Sequence, residues 1–321
     1  MKTSFAIPSL LLATLALAAP VALTAQSGVG TAGAQVLQLP AGSRAPAFAG
    51  AYTATSTDAD VLFYDPAGLA GLGRSVSVAY QNYFEGIRAG SAAAAFNLGR
   101  LVLGGGILYL DAGSIDVIEP DPNFGNQRGK ETGATASASE TAARVSAAVA
   151  LLGGRVRLGA NVGVVSSDLA GIGRSAPFVD VGAQYAMNRL AVGVSVRHLG
   201  TKMTNSTNGD APLPGEARLG IAVHGLQVSG FGVGLSADGL YRLQEGTTGL
   251  VAGVEAGLLP GTYGPFSAVL RAGYSMDSGD ALAPYRFGAG ISFGTIGVDY
   301  TYQDYNLLGA VHRIGLRWTT P

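Results

Sequence analysis

Twelve charged side chains fall on the polar face of segments that alternate apolar and polar residues. They are Arg144, Arg157, Arg197, Arg218, Arg242, Arg271, Arg286 and Arg317, with Asp180, Asp238, Glu255 and Asp299. Guanidinium and carboxylate groups so placed have two chemical uses. They can line a passage and select what enters it, or they can cross-link a polar interior as ion pairs, because buried charges need partners. Catalysis has less support. The histidines are His198, His224 and His312, with no H-x-x-x-H spacing, and the chain has no Cys. A hydrolase needs a nucleophile, a base and a group that orients the base, and no spacing here marks such a set. Asp121, Asn123 and Asn126 offer oxygen ligands without the twelve-residue calcium-loop pattern. Gly28-Val29-Gly30-Thr31-Ala32-Gly33 matches GxGxxG but lacks the strand and helix that give the motif meaning. The reading is a non-enzyme with no cofactor and no metal.

The positioning elements are strands. In Phe231–Gln244 the odd positions carry Phe231, Val233, Leu235, Ala237, Gly239, Tyr241 and Leu243, and the even ones include Ser236, Asp238, Arg242 and Gln244. Successive side chains of a strand point to opposite faces, so this segment has an apolar and a polar face. Tyr285–Phe293, Ile296–Gln303 and Ile314–Thr319 repeat the scheme. Many such segments of ~10 residues, separated by turns, are the sequence signature of a transmembrane β-barrel. Closure into a barrel leaves no unpaired strand edge in hydrocarbon.

Composition agrees. Of 321 residues, 49 are Gly, and only 13% are charged, against a usual ~25%. Small residues suit a crowded barrel interior, and a lipid-facing exterior needs few charges. Twenty Lys and Arg against 21 Asp and Glu leave no basic field for nucleic acid. Lys2, the apolar stretch Phe5–Ala19 and Leu23-Thr24-Ala25 before Gln26 read as a secretory signal over residues 1–25.

Residues 26–72 lack the alternation and read as a small plug of short helices and turns, leaving 73–321 for the barrel. There the spacing predicts fourteen strands: Ser75–Tyr83, Arg88–Leu98, Arg100–Leu110, Thr141–Leu151, Arg155–Ser166, Pro177–Ala186, Arg189–His198, Glu216–Gly225, Phe231–Leu243, Gly249–Leu258, Pro265–Met276, Tyr285–Phe293, Ile296–Tyr302 and Val311–Trp318. The fold class is all-β, a transmembrane antiparallel barrel of about fourteen strands. Connections after even-numbered strands are short, and several after odd-numbered ones are long. That parity puts both termini in the periplasm and the Asp111–Glu140 connection outside. This connection is rich in Gly, Ala, Ser and Thr, and reads as a loop able to order on a partner. Tyr80, Tyr83, Tyr109, Tyr185, Tyr241, Tyr274, Tyr285, Tyr302 and Trp318 lie near strand ends, as an interfacial girdle would.

Within the plug, Thr57 or Asp58 is placed to cap a short helix through Tyr64. Asp65-Pro66-Ala67-Gly68-Leu69 follows, with Pro66 fixing φ and Gly68 permitting a sharp turn. The stretch from Gly42-Ser43-Arg44-Ala45 to this motif resembles the N-terminal signature of the PorV/PorQ family, within the FadL-like barrel superfamily. That family has Asn-Pro-Ala-Gly-Leu where this chain has Asp65. His312-Arg313-Ile314-Gly315-Leu316 is similar to the family's final strand. The PorV/PorQ resemblance implies a barrel of the bacterial outer membrane that docks secreted cargo proteins or type IX secretion components. The FadL-like resemblance implies, as the alternative, uptake of a hydrophobic ligand such as a fatty acid or hydrocarbon. Either way the first partner is outer-membrane lipid.

Overall fold

The computed structural model describes residues 30–204, 209–228, 231–258, 265–276 and 283–320. The signal-peptide expectation over residues 1–25 lies outside them. The barrel strands are β1 Arg74–Asn82, β2 Arg88–Asn97, β3 Leu101–Pro120, β4 Gly129–Leu151, β5 Val156–Leu169, β6 Ile172–Met187 and β7 Leu190–Gly200. They continue with β8 Glu216–Val228, β9 Phe231–Arg242, β10 Thr247–Leu258, β11 Phe266–Ser275, β12 Tyr285–Phe293, β13 Ile296–Asp304 and β14 Ala310–Thr320. Each pairs antiparallel with its sequence neighbours, and β1 pairs with β14 from Arg74↔Thr320 to Asn82↔His312, closing the barrel.

The fourteen-stranded antiparallel barrel of the sequence reading is therefore the fold, with one correction. Asp111–Glu140 is not a loop. β3 runs to Pro120 and β4 starts at Gly129, so only residues 121–128 form the connection of a long hairpin. Asp121 holds the turn, its Oδ1 accepting from the Asn123 N–H at 2.9 Å. The reason is physical: from Ser114 to Ser137 nearly every residue of this hairpin is exposed, so neither face needed apolar residues and no alternation marked it. β5 and β6 likewise extend to a two-residue turn at Ala170 and Gly171.

Outward positions are apolar, and aromatic rings mark both edges of the band. Tyr80, Tyr109, Tyr241, Tyr274 and Tyr285 point outward near the long-loop end. Phe96, Tyr185, Phe231, Phe266, Phe293 and Trp318 do so near the short-turn end. Two such girdles around an apolar belt are what a bilayer's two interfaces select. Tyr83 is the exception to the expected girdle: its hydroxyl accepts from Gln81 Nε2 at 2.9 Å, on the lumen side of β1. Leu235 is 44% exposed, whereas its neighbour Ser236 is buried against the plug. Replacing Leu235 with Arg should cost about 2–4 kcal/mol if it lies near the midplane. The check is a denaturant titration of the folded barrel in lipid, and an unchanged midpoint would show that this face does not meet lipid.

Residues from Ala32 to Leu72 fill the lumen. A turn of α-helix covers Arg44–Ala47, and short 3-10 segments cover Gln35–Leu37, Ala59–Phe63 and Pro66–Gly71. Tyr52, Val61, Leu62, Phe63 and Leu69 are almost fully buried and form the core with Val102, Val165 and Phe178 of the wall. The abundance of Gly has a local cause here. At Gly106, Gly159, Gly193, Gly253 and Gly273 an added Cβ would run into plug atoms. Wall glycines let the plug backbone lie directly on the strands.

Candidate functional site

The plug is tied to the wall around most of its circumference. Asp238 of β9 accepts from the backbone N–H groups of Tyr52 and Thr53, both at 3.0 Å, and from the Thr53 hydroxyl at 2.6 Å. Gln184 of β6 donates to the carbonyls of Thr53 and Thr55 at 2.8 and 3.0 Å. Ser77 of β1 donates to Asp60, Asn161 of β5 to the Leu62 carbonyl, and Thr301 of β13 to the Ser43 carbonyl. Arg197 of β7 donates to the Phe63 carbonyl, and Arg218 of β8 to that of Gly50. An irregular segment buried in a lumen has backbone groups that must be paired, and the wall pairs them.

Asp65, Pro66, Ala67, Gly68 and Leu69 do more than end a helix. Asp65 is the N-cap of Pro66–Gly71, its Oδ1 accepting from the Ala67 N–H at 2.9 Å with Pro66 in the first turn. This is the arrangement that Asx caps and N-terminal prolines favour. Burial pushes the Asp65 carboxyl above the usual carboxylate range. The cap needs only an acceptor oxygen, which Asp and Asn side chains both supply. Asp58, by contrast, makes no capping bond; it accepts from the Tyr52 hydroxyl at 2.8 Å.

Of the twelve charged wall residues, ten fall into ion-paired groups. Glu255 and Asp299 alternate with three arginines in a relay: Arg44 to Glu255 at 2.7 Å, Glu255 to Arg271 at 2.6 Å, Arg271 to Asp299 at 2.6 Å and Asp299 to Arg317 at 2.7 Å. It ties the plug to β10, β11, β13 and β14. Glu216 joins Arg197 and Arg218, and Arg218 lies 3.6 Å from Asp238. Arg242 lies 3.9 Å from Glu245. The fourth group is Arg144 with Asp180 at 3.0 Å, both fully buried. There the Arg144 guanidinium lies between the rings of Phe63 and Phe178, 5.0 and 4.9 Å from their centroids. Asp180 also accepts from Asn161 at 2.8 Å and from the His198 N–H at 2.7 Å. The second bond replaces a ladder bond lost where the β6–β7 register shifts, with His198 at φ 57°. Arg157 and Arg286 stand apart: Arg157 reaches only Gln184, at 3.5 Å, and the buried Nε of Arg286 has no partner.

Five members of this interior are not among the lumen residues that the sequence singles out. Glu216 shares a face with Arg218 two residues on, and Arg313 shares one with Arg317, so strand parity could have found both. Asn161 and Gln184 carry no charge to draw notice. Arg44 lies in the plug, where no periodicity says which way it points.

The plug stands between two cavities. The outer one, toward the long connections, has a volume of 410 Å³ and is walled by Leu37, Leu39, Phe63, Tyr64, Leu108 and Leu240 together with arginines of the second and third groups. The inner one, toward the short turns, has 510 Å³ and contains the Arg44–Glu255 pair, Arg157 and His224. Both fall in the size range of small-molecule sites, ~300–1,000 Å³. Among the described residues no group of three His, Cys, Asp or Glu could hold a metal ion.

No protein-family model matches the sequence, and none of the curated proteins does. Solved structures do. The Pseudomonas putida toluene transporter TodX superposes with a TM-score of 0.56 at 11% identity, over 87% of this chain and 98% of that one. A Pseudomonas aeruginosa FadL homologue gives 0.53 at 11% identity, over 88% and 99%. At such low identity the likeness concerns the fold alone: this chain closes into the same kind of barrel as those two proteins.

Proposed function

We propose that this protein is a barrel of the bacterial outer membrane that admits small hydrophobic molecules past its plug. The observation that carries the reading is the outer cavity, in which apolar side chains of plug and wall form a pocket on the outer face of a closed lumen. A general diffusion pore keeps an aqueous channel open; a plugged barrel whose outer vestibule has apolar walls among its charged ones suits a ligand that leaves water before it crosses. The fold shared with a toluene transporter and a FadL homologue supports the reading. The test compares uptake of radiolabelled toluene by cells with and without the barrel. Faster uptake with it is expected, and equal rates would sink the proposal.

The docking reading keeps one supporting observation, the β3–β4 hairpin that projects past the rest of the wall. Under both readings a cysteine at Asn123 reacts with a membrane-impermeant reagent on whole cells, and one at Gly153 does not. If secreted proteins co-purify with the barrel through that hairpin, and no small molecule is taken up, docking replaces uptake.

A further inference from the structure

Arg286 and Arg313 present guanidinium groups to the outer end of the lumen without a carboxylate partner among the described residues. They flank one strand: Arg286 pairs with Gln303 of β13, and Arg313 pairs with Thr301 two residues away on the same lumen face. Arg313 is 3% exposed; its Nε donates to Gln81, and its buried second terminal nitrogen has no partner. The buried Nε of Arg286 has none either. Apart from Arg157, the other wall arginines of this lumen are matched with acids, and leaving buried cations unmatched is costly. Such a pair is stable when an anion completes it.

The surroundings define that anion. Arg286 lines the outer cavity, whose walls carry five arginines against Glu216 and Glu245. Tyr305 lines it too, and forms an edge-to-face trio with Tyr83 and Phe84, at centroid distances of 5.8, 5.9 and 6.3 Å. These rings come from the β1–β2 and β13–β14 connections, the second of which leads into the strand that carries Arg313. A forked guanidinium matches a carboxylate in two-point geometry. Edge-to-face rings favour another planar ring beside them. Resting on the uptake reading above, we infer that the outer cavity receives an aryl carboxylate, its ring against Tyr305 and its carboxylate on Arg286, with Arg313 supplying the second positive charge from behind.

The experiment uses the purified full barrel in detergent, with radiolabelled benzoate and toluene as probes in equilibrium dialysis. Benzoate is expected to bind. Arg286→Gln and Arg313→Gln should each weaken it by about tenfold or more, with toluene binding unchanged in both. Arg286→Lys, which keeps the charge and loses the fork, should fall between wild type and Arg286→Gln. The heat-dependent gel shift of each variant confirms that it is folded; should Arg313→Gln fail to fold, the two Arg286 variants carry the test. Toluene binding without benzoate binding overturns the inference and leaves uptake standing. Benzoate binding indifferent to Arg286 also overturns it, and binding of neither probe removes both readings.

Discussion

Replacing Asp180 with Ala should cost about 3–5 kcal/mol of barrel stability, the range for leaving a buried charge without its partner. The carboxylate serves three donors at once: the Arg144 guanidinium, the Asn161 amide and the His198 N–H. Arg144 cannot turn to water, because Phe63 and Phe178 enclose it on two sides. The third bond matters for another reason: it substitutes for a rung where β6 and β7 slip in register, so its loss exposes a strand N–H with no acceptor. Removing both charges together, as Asp180→Leu with Arg144→Met, should cost less than Asp180→Ala alone. Guanidinium titration of the lipid-embedded barrel, read by the gel shift between folded and unfolded forms, measures all three. An Asp180→Ala barrel within about 1 kcal/mol of wild type would mean that water reaches Arg144 and that the pair is not buried.

The contrast between this pair and the hairpin above it explains what the sequence could reveal. Asp180 lies on a strand whose other face meets lipid, so alternation had to be kept, and strand, face and charge were all readable. Glu131 and Thr135 lie on β4, the strand of Arg144, but both are exposed; a strand in water obeys no burial rule, and its sequence looks like that of a loop. The plug illustrates a different limit. Its Asp65-Pro66 cap is local chemistry and could be anticipated as a turn-forming unit. The partners of Arg44 and Asp58 come from Glu255 and from the Tyr52 hydroxyl, which only the folded lumen brings near. Tyr83 shows the same: a tyrosine at a strand end suggests an interface, and only its bond to Gln81 shows that it lies on the lumen side.

The largest functional effect is expected at Gly159, on the inward face of β5. A Cβ there would fall within contact distance of the Pro66 carbonyl carbon and the Ala67 nitrogen. Those are backbone atoms of the capped turn, which cannot rotate away as a side chain could. Valine at 159 therefore leaves two outcomes, a strained barrel or a displaced plug. Overpacking of this kind costs ~1–3 kcal/mol. The ladder pairs of Gly159 with Ala148 and Gly182 do not depend on its side chain, so the wall should assemble and the turn should yield. Moving Pro66–Gly71 loosens the polar bonds that tie the neighbouring plug segments to β6 and β9. Cells carrying Gly159→Val should then admit a chromogenic β-lactam several-fold faster, measured by its hydrolysis in the periplasm. Gly173→Val is the matched control, because nothing lies within 4 Å of a Cβ at that position; it should leave influx at the wild-type rate. A folded Gly159→Val barrel with unchanged influx would show that the plug is not the barrier to passage, and the outer cavity above it would lose its role as the antechamber.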